Sequence, residues 1–139
     1  MYGYDNREAA VRIASTFWSD EAGSTNLEFK SADSSCNPYL ALGCLIAAGL
    51  DGIERQLDPG EELLVDPSTL TDAERQARNI RRLPSTPTAA LHALERDQLL
   101  LTSMGELLTR TFLAVRHSEA AMFSAEATDD EFYQHFYKY

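Results

Sequence analysis

The amino-acid sequence predicts an α+β fold that is mainly helical and carries one small antiparallel β-hairpin. Polar and apolar residues alternate over residues 26–30, which is the period of a strand with one buried face. An almost unbroken apolar run at residues 39–46 then suits a helix that is buried on most sides. The last third of the chain has apolar residues at helical spacing. With 139 residues in all, we expect these elements to form a single partial domain.

The first 31 residues are predicted to form the hairpin. Residues 2–6 read as a loop and residues 9–13 as a short strand. Arg7 and Arg12 are five positions apart, so in one regular strand they would point to opposite faces. We therefore place Arg7 in the turn before the strand and Arg12 on the strand. A polar turn at residues 19–24 would join this strand to the next one.

A central helix is predicted over residues 37–57. Asn37 is a favourable N-cap, and Pro38 suits the first helical position because it lacks only an N–H that would be unpaired there. Gly49 and Gly52 are expected to end the helix. Its apolar composition predicts that it packs on the hairpin and lies at the centre of the fold.

The remaining sequence divides into a polar excursion and a helical C-terminal part. Residues 58–85 are predicted to be exposed and partly irregular, with Thr71 and Glu74 as the capping box of a short helix. Residues 86–139 are predicted to be helical, beginning with Thr86 as the cap, and Gly105 is expected to separate or kink the first two helices.

A third helix of this C-terminal part is predicted from Thr128, and it carries aromatic residues. They would pack on the helices of this chain or contact another subunit.

The cysteines and histidines point to no metal or redox site. Cys36 and Cys44 would lie about two helical turns apart, roughly 12 Å, which is too far for a disulfide. We therefore expect two small buried thiols. The three histidines are widely spaced and are expected to be surface or packing residues, namely His92, His117 and His135.

Net charge limits the class of partner. The formal charge is −10 and the pI is about 4.6, so the chain has no basic stripe to neutralise phosphates. We therefore expect neither nucleic acid nor a membrane surface as a partner. No apolar run reaches the roughly 20 residues that span a bilayer, and the N-terminus has no signal pattern, so we expect a cytoplasmic protein.

Two motifs in the sequence resemble a known enzyme family. E-x-K on a strand, followed by D-x-x-x-NPYLA and AAGLDGI, resembles the C-terminal part of the catalytic domain of glutamine synthetases. The earlier segment NREAAVRI resembles that family's N-R-x-A-x-x-R-I element. Nearly the whole chain follows the family's C-terminal segment, including PGE at residues 59–61. Nothing in it resembles the family's N-terminal domain or the first half of its catalytic domain.

The resemblance implies a site that handles phosphate. Glutamine synthetases phosphorylate a carboxylate with ATP and then form an amide, and Mg²⁺ or Mn²⁺ and cationic side chains offset the crowded negative charge. By resemblance, Glu28 is a metal ligand and Arg7 is a catalytic residue at the transferred phosphoryl group. Arg12 would bind the nucleotide phosphates, and Lys30 would bind the substrate carboxylate.

Two positions depart from the family pattern, and each site residue has a structural alternative. Asn26 and Lys30 stand where typical members have arginines. The planar guanidinium is therefore replaced by an amide at one position and by an ammonium group at the other. The acid could therefore be glutamate or a relative, and the acceptor ammonia or an amine. Glu28 could instead simply pair with Lys30 or Arg12 in a solvated ion pair.

The chain is expected to be a fragment of such a ligase. One carboxylate cannot hold two metals, so we expect weak or no ATP turnover and no tight cofactor binding from this chain alone. Its partners would be the upstream portion of the same protein and further copies in a homo-oligomer. No tyrosine lies between Tyr39 and Tyr133, so control by adenylylation in that region is not expected. The alternatives are a short non-catalytic module that regulates a partner ligase, or a helical scaffold with coincidental motifs.

Overall fold

The computed structural model describes residues 1–125, and its elements cluster into two compact units. The first unit contains residues 1–34 and 56–82, and the second contains residues 35–55 and those from 83 onward. The expectation that the chain forms a single partial domain stays a prediction. The helix expected from Thr128 and the aromatic tail lie outside the described residues.

A three-stranded mixed sheet forms the first unit's N-terminal part. The strands are β1 (Tyr2–Tyr4), β2 (Val11–Ile13) and β3 (Leu27–Phe29), in the order β1-β2-β3. Strands β2 and β3 are antiparallel, so the predicted hairpin is confirmed. The prediction of a loop over residues 2–6 is wrong for residues 2–4, because β1 pairs with β2 in parallel. Tyrosines favour strands, and this pairing supplies partners for the backbone.

The connection between β2 and β3 is a short helix rather than a simple turn. Helix α1 spans Glu21–Ser24, and the Asp20 side chain caps it by accepting a hydrogen bond from Gly23 N at 2.9 Å. The sequence prediction of a polar turn at residues 19–24 missed this cap, which makes one helical turn favourable.

The excursion after α2 (Pro38–Glu54) begins irregularly, as predicted, and then contains two short helices. A 3₁₀ helix spans Pro67–Thr69, and α3 spans Asp72–Ala77. The capping box is confirmed: Glu74 N donates to Thr71 Oγ1 at 3.3 Å, and Thr71 N donates to the Glu74 carboxylate at 2.7 Å. The first unit's core is small and consists of Ala9, Leu63 and Leu70.

Up to residue 125, the second unit contains four helices. They are α2, α4 (Pro87–Leu94), α5 (Gln98–Met104) and α6 (Glu106–Ala125). Helix α2 packs against α5, and α6 packs against both α4 and α5. Leu91 is this unit's buried apolar side chain among the residues described.

Helix α2 starts where the sequence predicts and ends at Glu54, beyond both glycines and within the predicted range of residues 37–57. The Asn37 side chain accepts hydrogen bonds from Tyr39 N and Leu40 N, at 3.0 and 3.3 Å. The prediction that Gly49 and Gly52 end the helix is wrong. A helical glycine costs only about 1 kcal/mol, so the helix continues to Glu54.

The C-terminal helices are divided by two breaks. Asp97 caps α5 by accepting a hydrogen bond from Leu100 N at 3.1 Å, a break that the apolar spacing did not predict. Gly105 separates α5 from α6 with φ of 76°, as predicted. His117 Nε2 lies 2.7 Å from Glu95 Oε1, so this histidine links α6 to the end of α4.

The predicted enclosure of α2 is not found among residues 1–125. None of its residues is buried, and an exposed stripe follows one side of it, made of Tyr39, Leu42, Ile46, Leu50 and Ile53. Among the described helices of its unit, α2 packs mainly against α5. Cys36 and Cys44 are free thiols and half-buried rather than fully buried.

No helix within residues 1–125 has both the length and the apolar character needed to cross a bilayer.

Candidate functional site

The register of the antiparallel pair brings two predicted site residues together. Arg12 on β2 lies directly opposite Glu28 on β3, so both side chains project from the same face of the sheet. Arg12 Nη1 donates to both carboxylate oxygens of Glu28, each at 3.1 Å. The guanidinium is thereby fixed on the carboxylate by charge-assisted hydrogen bonds.

Lys30 contacts the same carboxylate. Its Nζ lies 2.7 Å from Glu28 Oε2, and its backbone N donates to Ala10 O at 2.9 Å, just beyond the end of the strand. The hydrogen bonds from Lys30 and then from Arg12 lower the pKa of Glu28 below its ordinary value of 4.5. Glu28 is therefore an ionised acid between two cations.

Asp5 is a further member of this cluster that sequence reasoning missed. Its carboxylate accepts hydrogen bonds from Ser15 N at 2.9 Å and from Ser15 Oγ, and Arg12 Nη2 lies 3.4 Å from Asp5 Oδ1. The Ser15 hydrogen bonds, more than Arg12, lower the pKa of Asp5. Asp5 has a φ of 50°, a conformation that aspartate tolerates better than most residues. The identity of residue 5 is therefore the one local sign of this turn in the sequence.

Arg12 is the least exposed member of the cluster. Its side chain is 18% exposed, and its Nε is buried without a hydrogen-bond partner among the residues described. Both of its terminal nitrogens face carboxylates. In this arrangement Arg12 binds Glu28 and Asp5 more directly than it presents a free fork to a phosphate.

Arg7 lies apart from these ion pairs. It sits in the turn between β1 and β2, as predicted, and is exposed. Within residues 1–125 its side chain makes no hydrogen bond or ion pair. The structure thus brings Arg12, Glu28 and Lys30 together and leaves Arg7 as an exposed cation.

The departure at Asn26 is also visible in the structure. Asn26 is exposed, and its Nδ2 donates to Ser24 O at 2.9 Å. It therefore stabilises the end of the α1 connection locally, which a longer arginine would not do in the same way.

The residues described do not by themselves fit a divalent metal ion. No group of three or more acidic, histidine or cysteine side chains in residues 1–125 is arranged to hold one. Glu28 is a single carboxylate whose charge two cations already offset. A metal at Glu28 would need further ligands from outside these residues.

A cavity of about 540 Å³ in the first unit is separate from the cluster. Its lining is made of Met1, residues 58–63 and residues 77–80. None of the four predicted site residues lines it, so the charged cluster rather than this cavity is the candidate site.

Comparison with known proteins agrees with the motifs. The family model described as "Glutamine synthetase, catalytic domain" matches residues 1–135. The chain is 41% identical over 130 residues to the gamma-glutamylpolyamine synthetase GlnA3 of Streptomyces coelicolor, covering 94% of this chain and 28% of that protein. It is 34% identical over 131 residues to a glutamine synthetase of Archaeoglobus fulgidus, covering 94% and 26% respectively.

A solved structure described as "Apo GmaS without ligand" has the same fold. It superposes with a TM-score of 0.73 at 31% sequence identity, over 99% of this chain and 30% of that one. The chain therefore spans between a quarter and a third of the length of the relatives it matches. The match over almost every residue shows that the chain belongs to the glutamine synthetase catalytic-domain family, a family of ligases.

Proposed function

We propose that this sequence is the C-terminal part of the catalytic domain of an ATP-dependent ligase, which joins glutamate or a related acid to ammonia or an amine. One observation carries the proposal. At the family's motif positions, the antiparallel pair holds Glu28 between Arg12 and Lys30. This is a charged group on a rigid strand pair, where a reactant can be positioned.

The reaction has two steps. An oxygen of the substrate's γ-carboxylate attacks the γ-phosphorus of ATP, the bond to the leaving oxygen of ADP breaks, and an acyl phosphate forms. The amine nitrogen then attacks the acyl carbon, phosphate leaves, and the nitrogen loses one proton. Both steps gather negative charge, so nearby cations lower the barrier.

The cations have different exposures and therefore different proposed roles. Arg7 is exposed and available to the phosphoryl group in transfer. Lys30 is 42% exposed, so it can bind a substrate carboxylate from the solvent side while it contacts Glu28. Arg12 would reach nucleotide phosphates only with donors that are not already directed at the two carboxylates.

Glu28 is proposed as one oxygen ligand of a Mg²⁺ or Mn²⁺ ion whose other ligands come from outside residues 1–125. When bound, such an ion offsets phosphate charge. We expect the 139-residue chain alone to bind neither ATP nor the metal tightly and to turn over no ATP.

The relatives and two residues support an amine as the acceptor substrate. A gamma-glutamylpolyamine synthetase is among the similar proteins, at higher identity than the archaeal glutamine synthetase given above. Asn26 and Lys30 replace arginines of the typical pattern. Both facts favour an amine over ammonia as the acceptor, and a polyamine is the first one to assay.

The partners of the chain are proposed on the same basis. They are an upstream portion of the catalytic domain and further copies of the whole ligase, in the cytoplasm.

The test is a chimeric ligase in which this sequence replaces the matching C-terminal segment of the Streptomyces coelicolor relative. ADP release is measured with glutamate and either putrescine or ammonium. We expect amine-dependent ADP release from the chimeric ligase and a loss of about 10²-fold or more in Arg7→Ala and Glu28→Gln, since each removes a charged group from the reacting site.

The matched control is Glu54→Gln, the same change at an exposed position at the end of α2. It should leave the rate within about twofold, as surface substitutions usually do. A chimeric ligase that folds and assembles but releases no ADP with any amine would contradict the ligase proposal. Tight binding of this chain to an intact relative, without turnover, would favour the regulatory module instead.

A further inference from the structure

The turn that carries Arg7 is held to a distant segment by the side chain of Asn6. Asn6 Nδ2 donates one hydrogen bond to Leu63 O at 2.7 Å and a second to Val65 O at 3.0 Å. An asparagine amide has two donors, and both are used here across 57 and 59 positions of sequence. We call residue 6 and the carbonyls of residues 63 and 65 the Asn6 clasp.

The other end of Asn6 fixes the turn itself. Asn6 Oδ1 accepts a hydrogen bond from Glu8 N at 3.0 Å, and Asn6 O accepts one from Ala9 N at 3.3 Å. These two bonds bracket Arg7 on the chain. Such side-chain bonds to the backbone two residues on are typical of turns that begin with asparagine.

The clasp is packed as well as hydrogen-bonded. Ala9 and Leu63 are the two most buried apolar residues described in the first unit, at 0% and 2% exposure, and Leu63 N donates to Tyr2 O at 2.8 Å. There is no room for a side chain at Gly3, because a Cβ there would overlap Leu63 O and lie 2.8 Å from Asn6 Cβ. Residues 63–65 and the turn are thus locked in one arrangement.

Among residues 1–125, no polar partner orients the side chain of Arg7. Its side chain is exposed and makes no hydrogen bond or ion pair within the part of the chain that the structure describes. The position from which the Arg7 side chain extends is therefore set by the backbone of the turn. That backbone is held by Asn6.

We propose that Asn6 is a positioning residue that sets where Arg7 is presented to the transferred phosphoryl group, through its clasp on Leu63 and Val65. The inference rests on the proposed ligase function. It implies that the excursion after α2 acts on the site through this clasp, although none of its residues belongs to the charged cluster.

The discriminating variant is Asn6→Asp in the chimeric ligase. Aspartate keeps the oxygen that accepts from Glu8 N, but it loses both donors and turns a negative oxygen toward two carbonyls. We expect kcat to fall about tenfold to a hundredfold, the scale of a small misplacement of a catalytic group. KM for ATP should change by less than about threefold, since transition-state contacts are lost rather than ground-state ones.

The matched control is Asn37→Asp, the same substitution at a residue whose side chain, among the residues described, uses only its acceptor oxygen. Aspartate is as good an N-cap as asparagine, so kcat should not change. A second variant, Gly3→Ala, keeps asparagine at position 6 but crowds the clasp, because its Cβ would overlap Leu63 O and lie 2.8 Å from Asn6 Cβ. It should reproduce the loss in kcat.

A double-mutant cycle with Arg7→Ala separates positioning from general damage. If Asn6 acts through Arg7, Asn6→Asp should cost nothing further once Arg7 is removed. A full additional loss in the Arg7→Ala background, or a kcat for Asn6→Asp equal to that of the parent, would overturn the inference.

Hydrogen exchange on the 139-residue chain gives a readout that does not depend on catalysis. Asn6→Asp should speed exchange of the Leu63 amide on the order of tenfold, because a lost hydrogen bond opens this contact more often. Unchanged exchange would refute the clasp. An inactive parent chimeric ligase would overturn the proposed function and the role of Arg7 with it, while the exchange data would still report whether Asn6 holds the turn.

Discussion

Glu28 is the residue on which the electrostatics of the site depend. Arg12 and Lys30 both contact its carboxylate, and together they favour its ionised form, so its pKa is lowered in the folded chain. A lowered pKa means that the ion pairs stabilise the fold above the ordinary value of 4.5. That stabilisation is lost as the pH falls through the folded pKa.

The first prediction is the pH dependence of Glu28→Gln. The variant should unfold at lower urea concentration than the parent chain at pH 7, because the charge that both cations contact is gone. The difference should vanish well below pH 4, where the parent carboxyl is protonated too. Urea unfolding at several pH values measures it.

Glu8→Gln is the control for this experiment. Glu8 is exposed, and its side chain has no hydrogen bond or ion pair within residues 1–125, so the substitution should change the midpoint little at any pH. A Glu28→Gln midpoint equal to that of the parent at pH 7 would show that the ion pairs contribute nothing to stability.

At this scale, sequence reasoning succeeded where contacts are local. Alternation predicted that Glu28 and Lys30 share one face, and their side chains do meet, although Lys30 lies just beyond the end of β3. The odd spacing placed Arg7 in the turn. It missed Asp5 and Asn6, because their hydrogen-bond partners come close only when the chain folds. Asn6 binds carbonyls 57 and 59 residues away, and no local pattern encodes that distance.

Among the elements, α2 shows how much one cap contributes. Asn37 accepts hydrogen bonds from two backbone N–H groups that would otherwise be unpaired at the helix start. Asn37→Ala should lower the free energy of unfolding by about 1 kcal/mol. Urea denaturation followed by circular dichroism measures this.

The Asn37→Asp variant again provides the comparison. It keeps the acceptor, so its stability should lie within about 0.5 kcal/mol of the parent. Equal stability of the alanine variant would mean that α2 is held by its contact with α5 alone.

Caps were the most predictable feature of the elements, since each depends on residues within one helical turn. Asn37, Thr71 and Thr86 were all placed correctly, and each accepts the expected backbone hydrogen bond. The ends of helices were less predictable. Gly49 and Gly52 lie inside α2, because glycine weakens a helix without ending it where the next turn is still stabilised.

For the whole chain, the main feature is apolar surface. The stripe on α2 from Tyr39 to Ile53 is exposed in a chain that spans under a third of its relatives' length. Exposed apolar area of this kind marks a contact surface. We expect the isolated chain to self-associate, with a weight-average mass in sedimentation above the 15.5 kDa of one copy.

Ile53→Glu tests whether the stripe is responsible. Ile53 is 75% exposed, so the substitution should not unfold the helix, yet a charge there opposes apolar contact. Gln56→Glu adds the same charge beyond the end of the helix and should leave the mass unchanged. A monomeric parent chain at high concentration would contradict the prediction.

The sequence predicted the family and the mainly helical fold, because long motifs and helical spacing persist over many residues. It did not predict the parallel strand β1, whose three residues are too few for a clear period. It also overestimated the burial of α2. An apolar helix shows that a partner exists without showing that the partner lies in the same stretch of chain.

The most direct test of the central claim is the rate of ADP release by the chimeric ligase with glutamate and putrescine, compared with its Glu28→Gln variant. We expect amine-dependent release from the parent and a loss of about 10²-fold or more in the variant. Equal rates in the two proteins would contradict the claim that Glu28 and its cations form part of the catalytic site.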